Sequence, residues 1–120
     1  MHTAETAVPV LDERVLSELR TLGADVVAEI FDLFVGDVPG RLVKLQRAID
    51  DRSREAVLRE AHGLKGSALG VGASRLAHLC AAIERDAREG QLDRAAARSP
   101  SLEGEFAEAR RALREKQDQK

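Results

Sequence analysis

The stretch Ala61-His62-Gly63-Leu64-Lys65-Gly66-Ser67-Ala68-Leu69-Gly70-Val71-Gly72-Ala73 reads as a helix running into its stop and the turn beyond it. At about 100° per residue, Val57, Ala61, Leu64, Ala68 and Val71 fall within roughly 40° of one direction, which is the core face. His62 then lies about 140° away, toward solvent. Glycine in a helix interior costs about 0.8–1 kcal/mol relative to alanine, a cost that an alanine-rich chain could avoid. Gly66, one turn above His62, leaves bare backbone beside the ring. Lys65 can bring an ammonium to the ring, and Arg59 can do so from the turn below. Leu58 and Leu69 lie within about 40° of the azimuth of His62 and form an apolar rim that a partner could cover. Glu55 sits two turns below on the same side.

Working outward, Ser53 caps this helix, which starts at Arg54 and stops at Gly70. Before it, Val27, Ile30, Phe31, Phe34, Val38, Leu42, Leu45 and Ile49 step by threes and fours from a start near Asp25. Pro39 and Gly40 fall inside that pattern and imply a kink or a brief break. Asp12 caps a short leading helix carrying Val15, Leu16 and Leu19, ended by Gly23. After the central turn, a helix beginning at Gly72 or Ser74 buries Leu76, Leu79, Cys80, Ile83 and Ala87, and Gly90 ends it. The last helix carries Leu102, Phe106, Ala109 and Leu113. Pro100 either starts it, capped by Ser99, or kinks a longer helix from Asp93. Residues 1–10 read as a flexible lead, 11–116 as one domain and 117–120 as a flexible tail. The expected architecture is all-α: an antiparallel up-down four-helix bundle with a short extra N-terminal helix.

Composition agrees. The chain has 120 residues, 43% hydrophobic and only 2% aromatic, enough for one core without disulfides. A net charge of -2 with mixed signs argues against a nucleic-acid partner. The lone Cys80 offers no disulfide, and His78, two residues away, lies about 200° around the helix from it, so the pair cannot share a metal. No signal peptide or bilayer-spanning run is present. A cytoplasmic monomer is the expectation, and Met1 with a complete bundle points to a free-standing protein.

A neutral imidazole that solvent can reach is a nucleophile. A neighbouring cation offsets the charge of a phosphoryl group on the ring. No acid is clearly placed to orient the imidazole, and a convex helix offers no pocket. The layout suits receiving and handing on a group rather than turning over a small substrate.

His62-Gly63-Leu64-Lys65-Gly66-Ser67-Ala68 resembles the H-x-L-K-G-S motif of the histidine-containing phosphotransfer (HPt) domains of two-component phosphorelays. The resemblance continues through Gly72-Ala73, Leu76, Leu79-Cys80, Ile83-Glu84 and Ala87-Arg88-Glu89-Gly90, and upstream through Phe31, Phe34, Pro39, Leu42, Leu45 and Ala48. It spans roughly Leu11 to Leu113. It implies that His62 takes a phosphoryl group from a receiver-domain aspartate and passes it to another receiver, of a response regulator or a hybrid histidine kinase. Lys65 would neutralise the phosphoryl charge and Gly66 would admit the receiver's loops. The receiver would bring Mg²⁺, this chain binding no cofactor or metal. The chain would be a stoichiometric carrier, neither an enzyme nor an ATP-dependent kinase. The alternative is a degenerate module that docks receivers without being phosphorylated.

Overall fold

The computed structural model describes residues 7–119. Helix α1 spans Glu13–Arg20, α2 Ala24–Asp50, α3 Arg54–Gly70 and α4 Ser74–Arg88. Helix α5 covers Leu92–Arg98, a 3₁₀ turn Ser99–Ser101, and α6 Leu102–Asp118. Helix α3 packs along α4 on one side and against α2 on the other, while α5 and α6 close the bundle over α2 and α4. The arrangement is an antiparallel helical bundle with α1 as the short leading helix. Leu45, Ile49, Val57, Leu64 and Ile83 are fully buried at its centre, each stabilising the fold by about 1.5–3 kcal/mol. Phe34 of α2 meets Phe106 of α6 edge-on, ring centroids 5.8 Å apart.

The helix starts follow their caps. The Asp12 side chain accepts a hydrogen bond from the Arg14 N–H at 2.9 Å, and Ser53 Oγ accepts from the Ala56 N–H at 3.4 Å, satisfying donors that a helix start leaves free. Gly72 turns the chain from α3 into α4 with φ +77°, and a Cβ there would stand 3.2 Å from the Asp12 carbonyl oxygen. The Asp12 N–H donates to the Gly72 carbonyl at 2.8 Å, so the turn beside the central hairpin also seats α1. A side chain at Gly72 would be strained twice over, by its φ and by this contact.

Four expectations are narrowed or corrected. Pro39 does not break the second helix, because α2 is continuous from Ala24 to Asp50. Buried residues on both sides of the proline hold it together. Pro100 does not start the last helix: it sits in a 3₁₀ turn that interrupts the helical run from Leu92 and divides it into α5 and α6. Proline has no N–H for the Ala96 carbonyl, and Ser99 Oγ donates to that carbonyl instead, at 3.0 Å. The lead is not free over its final residues, since Arg75 Nε donates to the Val8 carbonyl and Ser74 Oγ to the Pro9 carbonyl, both at 2.8 Å. Residues 1–6 lie outside the described residues. At the other end, helix α6 extends through Asp118, two residues into the expected tail, of which residue 120 is outside the described residues.

Candidate functional site

On α3 the wheel places Val57, Ala61, Leu64 and Ala68 inward, and all four are buried. His62 therefore points outward, its side chain 70% exposed. Antiparallel packing of α3 and α4 sets Glu84 beside it. The buried Glu84 carboxylate spends both oxygens: Oε2 lies 3.0 Å from His62 Nδ1, and Oε1 accepts from Lys65 Nζ at 2.7 Å. Arg88 Nη2, one turn along α4, stands 3.3 Å from Oε2. Burial pushes the Glu84 carboxyl up, but the hydrogen bonds and charges of Lys65 and His62 outweigh it and hold the group below its ordinary value.

The carboxylate decides the state of the ring. An ionised carboxylate only accepts hydrogen bonds, so Nδ1 must carry the proton and donate. In the neutral imidazole this leaves the lone pair on Nε2. The ring is a nucleophile with its tautomer fixed by a buried partner. Gly66 is exposed, and a Cβ built there meets nothing within 4 Å. Its bare backbone answers no packing demand among the described residues.

The other expected neighbours separate. Arg59 turns to Glu60, 3.4 Å away, and the second cation near the ring is Arg88 of α4 instead. Leu58 is half-buried and packs against the core. Leu69 remains 53% exposed, so the apolar rim narrows to that residue. Glu55 is exposed and pairs with Arg54 at 3.6 Å. Gly63 accommodates not a neighbouring backbone but the flexible end of Arg41, whose Nη1 would lie 2.8 Å from an added Cβ. The expectation that no acid orients the imidazole is overturned by Glu84. Its signal was a carboxylate one turn beyond Cys80, on the apolar stripe of α4. Burial raises the Cys80 thiol to about 12, which keeps it protonated and inert.

The described residues form grooves elsewhere, between α1, α2 and the end of α6 and between α2 and α6. His62 stands on a convex surface, and the species it reacts with must come to it. Among the described residues no helix is long and apolar enough to cross a membrane, and no group of three His, Cys, Asp or Glu side chains could hold a metal ion.

The bundle thus presents an accessible imidazole beside a buried carboxylate and an ammonium. The family model described as the Hpt domain matches residues 29–115, and the chain belongs to this family. Among solved structures, the chain is similar to histidine-containing phosphotransfer protein B (HptB) from Pseudomonas aeruginosa PAO1. The two share 35% sequence identity with a TM-score of 0.84, over 93% of this chain and 97% of that one. A search of curated proteins found no match. Family and structure together assign a histidine phosphotransfer role in phosphorelays, with receiver domains as the class of partner.

Proposed function

We propose that His62 is the phosphoacceptor, taking a phosphoryl group from a receiver-domain aspartate and delivering it to the aspartate of a second receiver. The observation that carries this reading is the exposed imidazole with Nδ1 committed to Glu84. Nε2 attacks phosphorus, the N–P bond forms, and the acyl-phosphate O–P bond breaks to release the aspartate as a carboxylate. Nδ1 keeps its proton, so the phosphorylated ring is cationic and faces the Glu84 carboxylate. Delivery reverses these steps on another aspartate. Lys65 lies close enough to share its charge between Glu84 and the phosphoryl oxygens. Gly66 leaves room for the receiver's loops, and Leu69 offers them an apolar contact. On this reading Mg²⁺ belongs to the receiver, and the chain acts in the cytoplasm as a stoichiometric carrier rather than an enzyme.

The test is incubation with a radiolabelled, phosphorylated receiver. The native chain acquires acid-labile, alkali-stable phosphate, and His62→Gln acquires none. Gly66→Leu folds normally, because its side chain enters open space, yet slows transfer at least about tenfold by displacing the receiver. Label retained on His62→Gln sinks the assignment. Receiver binding without label on the native chain would point to the docking-only alternative.

A further inference from the structure

Gly63 lies inside α3, where the backbone is one that any residue adopts. What the missing side chain makes room for is Arg41 of α2, since an added Cβ would stand 2.8 Å from its Nη1. Asp37, one turn back on α2, holds the same guanidinium by accepting from Nε. Nη1 and Nη2 donate to no acceptor among the described residues, and the Arg41 side chain is 36% exposed. An ion pair along an exposed helix needs no glycine on the next helix to form. Here glycine and carboxylate together keep a guanidinium in one place, with its outer fork uncommitted.

That place adjoins the reactive ring. Gly63 follows His62 at about 3.8 Å along the backbone and about 100° around α3, and the bare Gly66 lies between them, about 40° from His62. His62 meets α4 through Glu84, whereas Gly63 meets α2 through Arg41. Even a transient protein complex buries roughly 600 Å² on each partner, a patch about 14 Å in radius. A receiver seated over His62 and Gly66 therefore covers Arg41 as well. We propose, resting on the reading of His62 as phosphoacceptor, that Arg41 is a specificity-determining residue for the receiver. Its Nη1–Nη2 fork binds a carboxylate at the rim of the receiver's active site, while Asp37 and Gly63 fix its position. A guanidinium fork matches a carboxylate through two parallel hydrogen bonds. The receiver's side is acidic on the same reading, because the aspartate and a Mg²⁺ site both put carboxylates there. Arg41 thus sets which receiver docks and how tightly, and the phosphoryl charge is left to Lys65 on the α4 flank.

The test titrates the full chain with the receiver of the transfer assay, by isothermal titration calorimetry and by rapid-quench transfer kinetics. Arg41→Ala raises the dissociation constant about tenfold. The half-saturating receiver concentration rises with it, while the maximal rate of labelling stays within about threefold of native. Gly63→Ala keeps the charge but displaces the fork, and weakens binding about fivefold. Its urea midpoint is nevertheless no lower than native, because alanine is the better helix former. A purely structural role would move stability and affinity down together. The double variant binds no more weakly than Arg41→Ala alone, since both changes remove one contact. Added salt weakens binding of the native chain more than that of Arg41→Ala. Native affinity in Arg41→Ala or in Gly63→Ala overturns the proposal, as does additive loss in the double variant. A fall in maximal rate at unchanged affinity also overturns it, by moving Arg41 to the phosphoryl group. Absence of label on the native chain defeats the phosphoacceptor reading alone, because calorimetry still reports whether Arg41 binds the receiver.

Discussion

Glu84 is the residue on which the geometry of the site turns. Its carboxyl is held below its ordinary value of 4.5, so the unfolded chain takes up a proton there more readily than the folded one. The sign follows: the stabilising contribution is full above 4.5 and is lost as pH falls through the lowered folded value. Glu84→Gln should therefore cost about 1 kcal/mol at neutral pH, and the difference from the native chain should vanish in acid, by urea unfolding at each pH. A difference that persists unchanged in acid would mean that Glu84 contributes packing rather than charge. His62, Lys65 and Gly66 were legible because they are neighbours on one helix, at offsets that helical geometry fixes. Glu84 was not, because its place beside His62 depends on the register of α4 against α3, which no local pattern sets.

At the scale of elements, the two prolines show opposite outcomes of one chemistry. Both lack an N–H, yet Pro39 stays inside a helix and Pro100 ends one. Around Pro39, the apolar stripe continues on both sides, and its burial outweighs one missing hydrogen bond on the exposed side. Around Pro100, the preceding helix is short, buries only Ala95, and has the Ser99 hydroxyl available as a substitute donor. Pro39→Ala should restore the hydrogen bond to the Val35 carbonyl and stabilise the chain by about 1–2 kcal/mol, read from the urea midpoint. No gain would show that the proline's restriction of the unfolded chain already offsets the lost bond. The periodicity in sequence located α1 to α4 and α6, and left α5 undecided. It could not decide between a break and an unbroken helix at a proline, since that choice rests on burial supplied by other helices.

At the scale of the molecule, an ion pair with a buried carboxylate ties α5 to the hairpin. Arg98 Nε donates to Asp86 Oδ2 at 2.6 Å, and the Asp86 side chain is 2% exposed. Removing the Asp86 carboxylate takes from Arg98 a partner held in the protein interior. Asp86→Ala should lower stability by about 2–4 kcal/mol, measured by urea unfolding, while leaving phosphoryl uptake intact under conditions where the variant is folded. Loss of uptake in the folded variant would instead show that this pair reaches the His62 site. The bundle itself was legible from apolar spacing, but this pairing was not, because Asp86 and Arg98 look in sequence like ordinary solvated charges.

The turn at Gly72 has a consequence in the order of synthesis. It makes α3 and α4 consecutive, with His62 and Glu84 only 22 positions apart and Lys65 and Glu84 only 19. Closing so short a loop costs little entropy. Once the ribosome has added Arg88, every member of the group around His62 exists, and all that follows serves to seal the core beneath it.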